Sequence, residues 1–128
     1  MSVLKYPHLF EPLKVRGAVF KNRIFSAPQG YYGVGPDGYY NADAVAFYEA
    51  KARGGIAAVV VGDGVVHSPT GAKGNLIRLD DPISKTSLAT MAKSISRHGC
   101  IAGMELNHGG MYTRGMVQAG RPLYGPSP

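Results

Sequence analysis

Apolar residues along this chain follow two alternating rhythms. Short runs with few or no polar interruptions, Ile56-Ala57-Ala58-Val59-Val60-Val61 above all, take turns with stretches where apolar positions recur every three or four residues. A run of the first kind reads as a strand covered on both faces, as in a parallel sheet. On that basis the first buried strand is expected at about Arg23 to Ser26, with Pro28 ending it. The second covers Ile56 to Val61, with Gly62-Asp63-Gly64 ending it, and the third covers about Ile101 to Leu106. Between the first two strands, Val45, Tyr48 and Ala52 recur at helical spacing. Asn41 is a good N-cap for that helix, Asp43 lies in its first turn, and Gly54-Gly55 stop it. Leu88, Met91, Ala92 and Ile95 form the stripe of a second helix, capped by Ser84 or a neighbour and terminated by Gly99. Ahead of all this, Leu13-Lys14-Val15 and Val19-Phe20-Lys21 flank Arg16-Gly17-Ala18, which predicts a short β-hairpin.

Strand and helix alternate, so the fold class is α/β, with a parallel sheet built from βα units. The arrangement predicts the N-terminal portion of a (β/α)8 TIM barrel with a preceding β-hairpin, and functional residues at the C-terminal ends of the strands. Eight such units need on the order of 250 residues, whereas this chain has 128. Residues 1–128 are therefore expected to be a single incomplete domain holding the first three βα units. An open three-stranded sheet leaves two apolar edges, which invite pairing. A homo-oligomer, or completion by another chain segment, is the expected consequence.

Composition adds exclusions. No apolar run approaches 18 residues, so no membrane span is expected, and the N-terminus lacks a signal-peptide core. Cys100 is the only cysteine. It rules out an internal disulfide and a cysteine cluster, reads as a small buried hydrophobe, and leaves a reducing cytoplasm as the expected compartment. The net charge is +6, yet Lys and Arg are scattered with no block of like charge. The basic balance is that of a solvated surface, and no nucleic-acid partner is expected. HExxH, P-loop and GxSxG motifs are all absent from the sequence, and no metal site is expected.

The chemistry is expected in the loops after the strands. Gly30 to Tyr40 is dense in Gly and Tyr, which offers bare backbone amides and aromatic faces to a ligand. Along strand three, Glu105 shares a face with Gly103 and Ile101, while Met104 and Leu106 point the other way. His108 follows that strand, and lone histidines are more often structural than catalytic. His8, His67 and His98 have no partner that the sequence reveals.

Taken in order, Leu9-Phe10-Glu11-Pro12-Leu13, Lys21-Asn22-Arg23-Ile24, Ala27-Pro28, Gly54-Gly55, Glu105-Leu106-Asn107-His108-Gly109-Gly110 and Gly125-Pro126-Ser127 resemble the N-terminal part of the old yellow enzyme family. These are FMN-dependent NAD(P)H oxidoreductases and ene-reductases, dienoyl-CoA-reductase-like members among them. The resemblance implies an FMN on the C-terminal face of the barrel, reduced by NADH or NADPH. The bound flavin then passes hydride through N5 to a small molecule with an activated C=C bond.

The same resemblance implies cofactor contacts at Ala27, Pro28, Gln29, Gly30, Asp63 and Glu105, and a substrate side lined by Tyr31, Tyr32 and Met111. Several positions depart from the family pattern. Gln29 stands where Met is usual, Gly30 where Thr or Cys is usual, and Asp63 where a small residue is usual. Glu105 takes the place of a Gln that faces the flavin pyrimidine, and Met111 that of an Arg. The family's catalytic and phosphate-holding residues map beyond position 128. Two rival readings stand beside it: a non-catalytic half-barrel module that needs another chain, and a phosphate-binding aldolase or isomerase. The second is disfavoured because no lysine sits at a strand end.

Overall fold

The computed structural model describes residues 5–126, apart from Tyr32, Pro36 and residues 73–75. A 3-10 turn at Pro7–Phe10 leads into the hairpin β1 (Leu13–Val15) and β2 (Ala18–Phe20), paired antiparallel with Leu13 opposite Phe20. Then come β3 (Phe25–Gln29), α1 (Ala42–Arg53), β4 (Ala58–Val65), a single turn α2 (Ser68–Gly71), α3 (Ser84–Ser96), β5 (Ile101–Asn107) and a short α4 (Arg114–Gln118). The three later strands form one parallel sheet in the order β3-β4-β5. This is the expected opening of a TIM barrel, hairpin included.

The core lies between the sheet and the two long helices. Tyr48 and Ala52 of α1, Met91 and Ile95 of α3, and Val59 and Val61 of β4 are all buried, and Ile77 joins them from the α2–α3 connection. Strand β4 is central and buried along most of its length, which is why it reads as one apolar run. Cys100 is buried beside it, its thiol donating to the Ile56 carbonyl at 2.7 Å. Asn41 caps α1 as expected, accepting from Ala44 N–H at 2.8 Å. Gly55, at φ 94°, turns the chain out of that helix.

Two residues of the Lys21-Asn22-Arg23 run hold helix ends. Lys21 Nζ donates to the His98 carbonyl just past α3 at 2.7 Å, where a cation suits the helix dipole. Buried Asn22 donates to the Gly55 carbonyl past α1 at 2.8 Å and accepts from Ile24 N–H at 3.1 Å.

Three expectations need correction. Pro28 does not end the first strand. It lies inside β3, where the register with β4 shifts between Ser26 and Gln29, so its missing N–H interrupts a ladder that is already irregular. Gly62-Asp63-Gly64 does not end the second strand either. Asp63 adopts φ 58°, the register with β5 shifts between Val61 and Gly64, and pairing resumes at Gly64 with Leu106 and Val65 with Asn107. A bulge of this kind re-aims side chains without stopping the strand. Ser84 is not the side-chain cap of α3. No neighbour caps it with a side chain either: the Asp81 carboxylate accepts from Ile83 N–H at 3.0 Å in the turn before the helix, and the Asp81 carbonyl accepts from Ser84 N–H at 3.1 Å and from the Ser84 hydroxyl at 2.8 Å.

Candidate active site at the strand ends

The two bulges follow one another along β4, the first opposite Val59–Val61 and the second from Val61 to Gly64, toward the C-terminal end of the sheet. Gln29-Gly30, Gly62-Asp63 and Glu105-Asn107 are thereby gathered there. Asp63 donates its main-chain N–H to Glu105 Oε2 at 3.1 Å, and Asn107 Nδ2 donates to Asp63 Oδ1 at 3.3 Å. No hydrogen bond among the described residues reaches Glu105 Oε1, and Asn107 Oδ1 is buried without a partner. The strand ends thus hold acceptors that await N–H donors. Asp63 also leans over the first strand: a Cβ on Gly30 would stand 2.5 Å from its Oδ2. The space a side chain at position 30 would fill is occupied by a carboxylate from the neighbouring strand.

Beneath this cluster, two tyrosine hydroxyls meet the strand ends from the helix side. Tyr48 donates to the Gln29 carbonyl at 2.5 Å and accepts from Gly62 N–H at 3.3 Å, and Tyr40 donates to the Gly62 carbonyl at 3.2 Å. Burial pushes both phenols above the ordinary tyrosine range, Tyr40 the further, so both stay protonated and able to donate. Sequence reasoning missed this pair and Asn107. A tyrosine on the core face of a helix needs a polar partner, and Asn107 follows Glu105 at the strand period of two. Those were the available signals.

The other expected residues divide. Ala27, Gln29 and Glu105 sit at or near the sheet's C-terminal end. The Gln29 side chain, however, accepts from Lys51 Nζ at 3.0 Å, so it reaches toward α1 and brings its main chain to the site. Burial lowers the Lys51 ammonium's pKa, and Lys51 also lies over the Phe47 ring, 4.4 Å from its centroid. Tyr31 folds back onto Phe47, with ring centroids 5.3 Å apart. Met111 is 70% exposed on the lip of an open cavity of about 710 Å³, together with Thr70, His108, Tyr112 and Tyr124. Tyr32 lies outside the described residues.

His108 is committed on both nitrogens. Its Nδ1 accepts from Gly110 N–H at 3.1 Å, which places the proton on Nε2, within 2.9 Å of Thr70 Oγ1. Thr70 is in turn 2.7 Å from His67 Nδ1. The imidazole pins the loop after β5 to α2, and the same loop is tied by Gly109 N–H to the Gly71 carbonyl at 2.9 Å. The remaining histidines have partners too: His98 meets Glu49 at 2.8 Å, and His8 meets Glu11 at 2.9 Å.

A parallel sheet with polar residues at its strand ends fits many barrel enzymes, and comparison with known proteins narrows the field. Residues 8–127 match the NADH:flavin oxidoreductase / NADH oxidase family. The chain belongs to that family, the family of the old yellow enzymes. It is similar to an NADH oxidase of Thermoanaerobacter brockii, 27% identical over 124 residues that make up 96% of this chain and 19% of that protein. Among solved structures, the old yellow enzyme of Pichia sp. AKU4542 superposes with a TM-score of 0.82 at 18% identity, over 94% of this chain and 32% of that one. Histamine dehydrogenase of Rhizobium sp. 4-9 superposes with a TM-score of 0.74 at 26% identity, over 84% of this chain and 15% of that one. The chain therefore spans about a fifth to a third of the first relatives it matches. Among the described residues, no helix is long and apolar enough to cross a membrane.

Proposed function

We propose that these strand ends form the pyrimidine-side wall of a flavin site, in an FMN-dependent NAD(P)H oxidoreductase that reduces activated C=C bonds. The observation that carries this is the pairing of unused acceptors at one place. Glu105 Oε1 and the buried, unpartnered Asn107 Oδ1 lie beside the Asp63 carboxylate at the end of a parallel sheet. Acceptors left open in this way suit a planar heterocycle that carries its own N–H, and the residues present fit FMN in that respect.

When bound, FMN supplies the hydride chemistry: acceptance from a nicotinamide, and donation through N5 to an electron-poor carbon. The chain's residues position and polarise. Ionised Glu105 can only accept, so it would hold a ring N–H. Its second oxygen is kept in place by Asp63 N–H, which fixes the carboxylate's aim. Gly30, lacking a side chain, leaves the Asp63 carboxylate as the polar group at the end of β3. Met111, on the cavity lip, belongs on the substrate side and gives an apolar contact with no anion-binding capacity. A cytoplasmic enzyme that completes its barrel with further chain, or with a partner subunit, is part of the same reading.

The test is direct. Residues 1–128 alone are expected to be inactive; with its barrel complete, the purified protein should carry a visible flavin absorption band that bleaches with NADH or NADPH without oxygen and returns on adding an enone, enoate or enoyl thioester. A colourless protein that fails to take up added FMN would defeat the proposal. Similarity to histamine dehydrogenase at 26% identity favours one alternative, oxidation of an amine by the same cofactor. Bleaching by histamine or another amine, and not by a nicotinamide, would select it.

A further inference from the structure

Gly62 of β4 lies tight against the end of β3. A Cβ there would stand 2.6 Å from the Gln29 carbonyl carbon and 2.7 Å from the Gly30 nitrogen, both of them backbone atoms that cannot swing aside. The pairing is irregular just before Gly62, where β3 shifts between Ser26 and Gln29 against β4, and at Gly62 itself, where β4 shifts between Val61 and Gly64 against β5. Irregular pairing threatens to leave main-chain groups unpaired in a buried place, which is costly.

Two tyrosines repair it. Tyr48, fully buried on α1, uses its one hydroxyl to bridge the strands, donating to Gln29 and accepting from Gly62. Tyr40, 6% exposed just ahead of α1, donates to the Gly62 carbonyl, which belongs to the next peptide group, the one shared with Asp63 N–H. The rings meet edge to face with centroids 6.3 Å apart, and Phe47 packs edge to face on Tyr48 at 5.1 Å. This arrangement leaves little freedom in either hydroxyl. The Gly62 peptide ends in the Asp63 N–H, which donates to Glu105. A single hydrogen-bonded path thus runs from Tyr40 through the bulge to the site carboxylate.

We infer that Tyr48, backed by Tyr40, is a positioning residue: its hydroxyl clamps the ends of β3 and β4 at a fixed spacing, which sets where Gly30, Asp63 and Glu105 meet a ligand. The clamp stands on geometry alone, while its consequence for ligand binding rests on the flavin reading above.

Tyr48→Phe removes one oxygen and keeps the ring. It removes the hydroxyl's bonds to the Gln29 carbonyl and the Gly62 N–H. In the full chain, well below its thermal midpoint, amide exchange at Gly62 and Asp63 should quicken by about tenfold or more, while α3 amides keep wild-type rates. Affinity for free FMN, read by quenching of flavin fluorescence, should fall about tenfold. Ile95→Val provides the comparison, since it thins the core away from the clamp and should leave both readouts unchanged. If Tyr48→Phe does not fold, Tyr40→Phe, which removes only the bond to the Gly62 carbonyl, should quicken the same amides to a smaller degree.

A Tyr48→Phe protein with a lower midpoint but wild-type exchange at Gly62 and Asp63 would overturn the clamp. So would an Ile95→Val protein that reproduces the changes. If wild type binds no FMN, the flavin reading falls, and the exchange measurement still decides the clamp. If exchange quickens while FMN affinity holds, the clamp is real and its positioning role is refuted.

Discussion

Glu105 receives the main-chain N–H of Asp63 on one oxygen and leaves the other open, beside a second carboxylate on Asp63. On the flavin reading, that geometry has an electrostatic consequence. Reduction places negative charge on the pyrimidine edge of the ring, and a carboxylate there opposes it. At an effective dielectric of about 20, two charges some 4–6 Å apart interact by roughly 3–4 kcal/mol before screening. Glu105→Gln should therefore raise the reduction potential of the bound flavin. Spectroelectrochemical titration of both proteins at one pH measures this, and a potential unchanged or lowered in the Gln variant would show that Glu105 does not face the flavin. The position was legible in the sequence because a strand's period of two assigns its face. The overlap of Asp63 with the space above Gly30 was not legible, since it depends on a left-handed residue that only the bulge creates.

At the scale of elements, helix termini and strand centres could be read from the sequence, and the irregular ends of the strands could not. Asn41 caps α1 and Gly55 and Gly99 take positive φ where the pattern placed stops, because those signals are local. Pro28 and Gly62-Asp63-Gly64 look like terminators for equally local reasons. They lie inside strands because neighbouring ladders and the tyrosine hydroxyls satisfy the backbone through the irregularity. The cap hierarchy can be tested. Asn41→Ala should cost about 1 kcal/mol. Ser84→Ala should cost at least as much as Asp81→Ala, since buried Ser84 loses its bond to the Asp81 carbonyl, while Asp81→Ala keeps that carbonyl and loses only an exposed bond to Ile83 N–H. Denaturant melts of the three variants decide it.

The tyrosine pair adds a dependence on pH. The phenols ionise near 10.0 in the unfolded chain and later in the folded one, so above that pH the folded state holds more protons than the unfolded state. Stability should stay level up to about pH 10, then fall with rising pH. Tyr40→Phe should flatten part of that slope. At the acid end the sign reverses: Glu49, drawn below its ordinary 4.5 by Arg97 and His98, ties α1 to α3, and its contribution is lost as the pH falls through its lowered value.

At the scale of the whole molecule, the apolar surface is distributed unevenly. Helices α1 and α3 and strand β4 enclose a core, yet β3 and β5 each pair with β4 alone among the described residues. Phe25 is 43% exposed on β3 and Leu106 is 71% exposed on β5. Beside Leu106, a shallow apolar hollow runs along the β5 edge past Ala102 and Met104 to Leu88 and Met91 of α3. Strand edges with open N–H and C=O groups and apolar flanks favour pairing with more chain, whether it comes from the same polypeptide or from another. A polypeptide of residues 1–128 should therefore associate as its concentration rises, and Leu106→Lys should weaken that association, because a charge on the edge must be desolvated before another strand can add. The added lysine falls at an exposed position, so it should leave the thermal midpoint within about 0.5 kcal/mol of wild type in stability terms. Light scattering behind size exclusion, run across a concentration series, reads the outcome. A wild type that stays monomeric throughout, or a Leu106→Lys protein that associates as strongly, would show that the β5 edge is not where further chain adds.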